Sequence, residues 1–276
     1  MKQMRAEFSV RTDIPYLGEK RSERMDAYLP SQSGEKSAPA VVLVHGGEWT
    51  DGSRKGEREV DFAEALARSG FAVFSIDYAL GAWSGPPFKS RLVRSAWPQC
   101  IYDCKSAIRY VRHNAADFGV NPMRIAVAGG SAGGHIAMMT ALTGQRLAWN
   151  QVGPFTGESS AVDCVVVSRG IFNVDNQFSK WLIDESDAND PLVQKAASPL
   201  SHIERGAPPV LAFHGSKDGV VDIGQAQTFT ERLARFGIEH RLVVVEEKGH
   251  DFRLDEESCN LMFIVETFLR WNLLCR

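Results

Sequence analysis

The segment RIAVAGGSAGGHIA, residues 124–137, sets Ser131 between glycines where an apolar run gives way to small, helix-compatible residues. Gly129, Gly130, Ser131, Ala132 and Gly133 fit the pattern G-x-S-x-G, in which a serine on a strained strand-to-helix turn exposes its hydroxyl. The flanking glycines remove Cβ atoms that would clash in so tight a turn. The helix opening there offers free N–H groups and a dipole that favour a developing negative charge. A glycine-rich turn with a capping serine has the same pattern, so the motif alone does not establish a nucleophile.

A serine hydroxyl is a weak nucleophile until a base takes its proton, and the base needs an acid to fix its tautomer. FHGSKDGVV places Asp218 just beyond one apolar run, and EEKGHDF places His250 just beyond the next. If both runs are strands of a parallel sheet, their carboxyl-end loops share an edge where Ser131, Asp218 and His250 can converge. The other histidines fit less well. His113 and His240 fall in or beside regular elements, His202 follows a loop, His135 lies one turn into a helix, and His214 precedes a strand-end glycine. Asp222 and Asp251 compete with Asp218 for the acid role and rank below it.

Acyl transfer through such a serine forms a tetrahedral intermediate whose negative oxygen must meet fixed donors. VHGGEW supplies them after an earlier apolar run: the backbone N–H groups of Gly46, Gly47 and Glu48, together with that of Ala132, are the candidates. His45 is then a structural member of that loop. A carboxylate at Glu48 would oppose the charge forming beside it, so it should face solvent or meet a positive or hydroxyl-bearing part of a substrate. No HExxH and no compact cluster of histidines and carboxylates is present, so neither a metal nor another cofactor is expected.

Alternating strands and helices must position these groups. FSVRTDI and RMDAYLP read as two exposed strands, with SQSGEKSAP after them as a hairpin or loop. Buried strands follow at AVVLVHGG, FAVFSIDY, RIAVAGG, AVDCVVVS, PPVLAFHG and HRLVVVEE. Helices are predicted within residues 56–70, over 95–113, from Ala132, over 225–236 and over 256–274. This predicts an α/β fold in one domain over residues 1–276, with a mostly parallel central sheet flanked by helices. Residues 80–94 and 171–201 break the rhythm; the second is a small lid insertion.

Composition agrees with a globular chain: 276 residues, 44% of them hydrophobic, can bury a large core. The net charge of −3 comes without basic runs, which argues against nucleic acid as a partner. No apolar stretch is long enough to span a membrane, and MKQMRAEFSV lacks the apolar segment of a secretory leader. Five cysteines (Cys100, Cys104, Cys164, Cys259 and Cys275), unmatched to zinc spacings, suit reduced thiols, so a cytoplasmic location is expected.

Together these residues resemble the α/β-hydrolase superfamily, and within it the serine carboxylesterases related to hormone-sensitive lipase and the BD-FAE-like (feruloyl-esterase-like) proteins. The resemblance runs from about Asp26 to the C-terminal helix, through LVHGGEW, CIYDCKSAIRYVRHNAADFGVNPMRIAVAGGSAGGHIA, APPVLAFHGSKDGVV and a final GH. It implies Ser131 as nucleophile, Asp218 as acid, His250 as base, and Gly46, Gly47 and Ala132 as the oxyanion hole. Asp103 matches a helix acid of such proteins with a structural role. Two positions depart from the pattern: Glu48 stands where relatives carry a small or apolar residue, and DYAL replaces DYRL at 77–80.

The expected activity is hydrolysis of a small-molecule carboxylic ester through an acyl-enzyme. Substrate contacts are expected from Glu48, Trp49, Trp83, Phe88 and Trp181, with Phe172 and Phe178 nearby in the insertion. The insertion is short, which favours short acyl or aryl esters over long-chain triglycerides. An arylformamidase or peptidase-type amide hydrolase would use the same residues, and a non-catalytic binding protein on a hydrolase scaffold is the reading from a different class.

Overall fold

The computed structural model describes residues 7–31, 37–85, 91–255 and 261–275. Ten strands are seen among them: β1 (Phe8–Ile14), β2 (Met25–Pro30), β3 (Ala38–Val44), β4 (Ala72–Ile76), β5 (Ala82–Ser84), β6 (Arg91–Arg94), β7 (Val120–Gly130), β8 (Cys164–Ser168), β9 (Val210–Gly215) and β10 (His240–Val245). The helices are α1 (Glu57–Arg68), α2 (Gln99–His113), α3 (Ala115–Phe118), α4 (Ala132–Leu142), α5 (Asn176–Leu182), α6 (Pro191–Ala197), α7 (Ile223–Arg235) and α8 (Leu261–Leu274).

Eight strands form one sheet in the order β1-β2-β4-β3-β7-β8-β9-β10. Only β2 pairs antiparallel with its neighbours β1 and β4; the remaining pairs are parallel. The fold is thus the mixed, mostly parallel α/β sheet flanked by helices that the sequence predicts. Side chains alternate between two cores. From β3, Ala40, Val42 and Val44 join α2, α4 and α7 on one face, whereas Val41 and Leu43 join α1 and α8 on the other. Burial on both faces explains why these strands read as unbroken apolar runs.

From β3 the chain moves outward to β4, and from β7 it moves the other way through β8, β9 and β10. The carboxyl ends of β3 and β7 therefore flank the point where the winding reverses, the place where an open α/β sheet leaves a crevice. Residues 45–48 leave β3 and Ser131 leaves β7, so the topology brings these two segments together.

Several expectations change. Met25–Pro30 is not an exposed strand: it lies between β1 and β4 beneath α1, and Met25, Ala27, Tyr28 and Leu29 are buried. The helix predicted over 95–113 begins at Gln99, because Pro98 disfavours a helical conformation at Trp97. Within residues 80–94, expected to be irregular, β5 and β6 pair into a small antiparallel ribbon. Phe88 lies outside the described residues, as do residues 256–260 of the predicted last helix. Inside 171–201 the chain forms α5 and α6, both started by Asp side chains: Asp175 accepts from the Gln177 N–H and Asp190 from the Leu192 N–H. No described helix is long and apolar enough to cross a membrane.

Candidate active site

Ser131 occupies the turn between β7 and α4 with φ 54° and ψ −122°, a conformation costly for a residue with a Cβ. Two glycines make the turn possible. A Cβ on Gly129 would lie 2.4 Å from the Gly133 oxygen, and one on Gly133 would lie 2.1 Å from the Val44 oxygen. The Ser131 N–H donates to the Ser168 oxygen at the end of β8 (2.9 Å), fixing the turn to the sheet.

The three distant residues meet. His250 Nδ1 lies 2.8 Å from Asp218 Oδ2, and because a carboxylate only accepts, Nδ1–H is the donor. That leaves His250 Nε2 as the acceptor for the Ser131 hydroxyl at 3.0 Å. The Asp218 side chain is fully buried, and its Oδ1 accepts the Val220 and Val221 N–H groups at 2.9 Å each. Burial pushes the Asp218 carboxyl up, but these N–H groups and His250 outweigh it and hold it below the usual carboxylate range. The acid is therefore ionised at neutral pH and can brace an imidazolium.

The competitors are occupied elsewhere. Asp222 caps α7 by accepting the Gly224 N–H, and the Asp251 side chain faces solvent. His214 Nε2–H donates to the Val221 oxygen and lies 3.3 Å from Asp218 Oδ2, so it shapes the acid's loop. His202 accepts from Arg146 and donates to the Ala196 oxygen. His135 accepts from the Trp49 indole N–H (3.2 Å) and donates to the Ala197 oxygen in α6. Complete burial brings His135 down to about 4, so it stays neutral and ties α6 to the core of the site.

The loop after β3 packs against the serine turn: a Cβ on Gly46 would lie 3.1 Å from the Gly130 oxygen and 3.5 Å from Ser131 Cβ. Gly47 has φ 116°, and a Cβ there would lie 2.1 Å from the Asp51 oxygen. Glu48 and Trp49 follow at φ 54° and 59°. His45 Nδ1–H donates to the Gly46 oxygen, and the ring stacks on Tyr78, so His45 holds the loop from below as predicted. The Ala132 N–H, as the first of α4, has no acceptor within its own helix. Gly46 and Ala132 thus flank the serine, and Gly47 lines the same cleft.

Two hollows share Ser131 and Glu48. A pocket of about 330 Å³ is walled by Trp49, Ile171, Phe178, Trp181 and Val221. A broader cleft of about 600 Å³ holds His250 and is lined by charged side chains, including Asp51, Glu57, Arg58 and Arg169. Glu48 is exposed, one of the two placements expected for its carboxylate. Trp49 is 2% exposed and acts as a wall. Trp83 does not line the pocket; it packs edge-on against Trp181, centroids 5.1 Å apart, and supports it from β5.

Arg169 is not among the residues the sequence singles out. It is 3% exposed and lines the cleft beside Ser131. Arg21 was missed too: it forms an ion pair with the buried Asp103, which also accepts the Ala79 N–H. That is the structural role predicted for Asp103. Among the described residues, no group of histidines, cysteines and carboxylates could hold a metal ion.

A serine at a strained strand-to-helix turn, with its carboxylate and histidine following in that order along the chain, defines the α/β-hydrolase class. The profile of the BD-FAE family matches residues 25–233, and the chain belongs to that family. Esterase LipC of Mycobacterium tuberculosis is 31% identical over 227 residues, covering 78% of this chain and 53% of that protein. Esterase LipQ of the same organism is 30% identical over 237 residues, covering 82% and 53%. The chain thus spans about half the length of these relatives. Among solved structures, a truncated carbohydrate esterase from gut microbiota superimposes with a TM-score of 0.82 at 23% identity, covering 98% of both chains. Esterase Est2 of Thermogutta terrifontis gives a TM-score of 0.74 at 26% identity, covering 98% of this chain and 93% of that one.

Proposed function

We propose that the protein is a serine carboxylesterase that works through an acyl-enzyme, with Ser131 as nucleophile, His250 as general base and then acid, and Asp218 as its brace. The observation that carries this reading is the His250 ring bridging the Ser131 hydroxyl and the buried Asp218 carboxylate. As Ser131 Oγ attacks the ester carbon, its proton passes to His250 Nε2. The carbonyl oxygen becomes an oxyanion, which the N–H groups of Gly46, Gly47 and Ala132 receive. His250 then gives the proton to the departing alcohol, and water repeats the sequence to release the acid.

The two hollows divide the substrate. The leaving oxygen takes its proton from His250, so the alcohol lies in the cleft that His250 lines, and the acyl group lies on the Trp49–Trp181 side. The aromatic pocket fits a short acyl or aryl group. The charged cleft fits a hydroxyl-rich alcohol, which agrees with the likeness to esterases and to a carbohydrate esterase. A panel of acetyl, butyryl and benzoyl esters, with matched amides and an aryl formamide, tests the reading. Esters are expected to turn over fastest; faster cleavage of the formamide or amides would replace this reading with amide hydrolysis.

A further inference from the structure

The Ser131–His250 hydrogen bond joins two loops, and something must keep them in register when that bond breaks during turnover. The histidine loop is tied to its neighbour by the Lys217 N–H to the Lys248 oxygen (2.9 Å) and the Glu247 N–H to Ser216 Oγ (2.9 Å). Both ties run to the loop that carries Asp218. On the other flank, Arg58 donates to the Asp251 oxygen (3.2 Å) from α1. None of the three reaches the serine turn.

Arg169 does. It is the first residue after β8, and its own N–H donates to the Phe213 oxygen of β9 (2.7 Å). Its backbone is in the left-handed region, φ 46°, which an arginine adopts only when its surroundings impose it. That backbone directs the guanidinium inward. Nη1 donates to Ser168 Oγ (3.3 Å) and to the oxygen of Phe252 (3.2 Å), two residues beyond His250. The guanidinium also faces the Phe252 ring, 5.8 Å from its centroid. Its other end presses on the serine turn, where a Cβ on Gly130 would lie 2.9 Å from Arg169 Nη2. A side chain at position 130 would therefore meet the guanidinium unless Arg169 and Ser168 shifted.

We propose that Arg169 is a positioning residue: its guanidinium ties the Phe252 carbonyl to Ser168, whose own carbonyl holds the Ser131 N–H, and so keeps the His250 ring in reach of the Ser131 hydroxyl. The inference rests on the serine-hydrolase reading given above. The partners of the clasp are neutral oxygens, and Arg169 Nε has no partner among the described residues. Burial and the neighbouring Arg58 bring the guanidinium down to about 10, still charged at neutral pH. A side chain kept only for packing has no need of a buried charge, whereas a clasp on carbonyl oxygens is stronger when its donor is a cation.

Kinetics of folded Arg169→Ala on p-nitrophenyl acetate test the proposal, with the fold checked by circular dichroism and Ser131→Ala run alongside. The expected result is a loss of about 10- to 100-fold in kcat with KM nearly unchanged, the size expected when reacting groups drift by about 1 Å. Guanidinium ion added to Arg169→Ala should restore part of the rate, and amide hydrogen exchange over residues 249–252 should accelerate. Folded Arg169→Ala with wild-type kcat, or with its loss confined to KM, would overturn the clasp while leaving the serine reading intact. Full activity in Ser131→Ala would overturn both. If Arg169→Ala does not fold, Arg169→Lys decides: it keeps the charge but not the fork, and undiminished kcat there would equally overturn the proposal.

Discussion

The two hollows beside Ser131 are built by different physics. The aromatic pocket takes its shape from close packing: Trp49 and Phe178 are buried, His135 locks the Trp49 indole, and α6 is tied down through the Ala197 oxygen. The charged cleft takes its shape from ion pairs at the surface. Arg253 meets Glu57 and Asp255, and Arg58 lies near Asp251. Packed walls respond to every added methylene, whereas exposed ion pairs contribute little each and rearrange with the solvent. Selection should therefore be steep for the acyl group and tolerant for the alcohol.

The largest expected effect falls on both sides alike. Asp218→Asn should lower kcat by about 10⁴-fold for every ester, because the amide favours the wrong imidazole tautomer. An unequal loss across a substrate panel, measured as kcat, would mean that the acid also contacts substrate. Next comes the packed side: Trp181→Ala should cost about 10-fold in kcat/KM for aryl-acyl esters and much less for acetyl esters, the scale of a lost apolar contact. Equal losses on acetyl and benzoyl esters of one alcohol would break the assignment of this pocket to the acyl group.

Glu48 lines both hollows but its charge is exposed, so Glu48→Gln should leave Ser131 reactive and shift preference among alcohols by only a few-fold. Identical kinetics on cationic, hydroxylated and plain alcohols would remove Glu48 from the cleft's recognition. Raising ionic strength should likewise narrow preferences among alcohols and leave those among acyl groups unchanged.

The smallest effect on activity, but a clear one on stability, concerns Lys105 behind α4. It is buried, donating to the Thr143 oxygen, Asn150 Oδ1 and Ser160 Oγ. Burial, with Arg109 and Arg146 nearby, brings its ammonium down to about 7 from 10.5. Below about 7 the group is charged in both folded and unfolded chains, and its burial opposes folding in full. Above 7 the folded protein releases the proton first, so this group makes stability rise with pH, by up to about 1.4 kcal/mol per unit. Denaturant titrations from pH 7 to 9 should show that rise, and Lys105→Met should flatten it. An equal slope in both proteins would contradict the assignment.

What the sequence revealed follows the same division. Parallel strands buried on both faces read as apolar runs, and the loops at their carboxyl ends mark Ser131, Asp218, His250 and the Gly46–Gly47 turn as candidates, of which the first three lie within hydrogen-bond reach of one another through His250. β2 reads as exposed beside polar segments, yet it lies between β1 and β4 and under α1. The Arg169 clasp and the Arg21–Asp103 pair were hidden for a different reason. A charged residue after a strand reads as solvated, and only the fold shows that Arg21 and Asp103, 82 positions apart, are partners. Trp83, expected to contact substrate, instead packs on Trp181 and does not line the pocket.

On this reading Ser131 is made nucleophilic by His250, 119 positions further along the chain. Labelling with a fluorophosphonate, followed by peptide mass mapping, reads that activation at the serine itself. A single modification on Ser131 that is lost in His250→Ala is expected. Folded wild-type protein left unlabelled, or labelled at another serine, would contradict it.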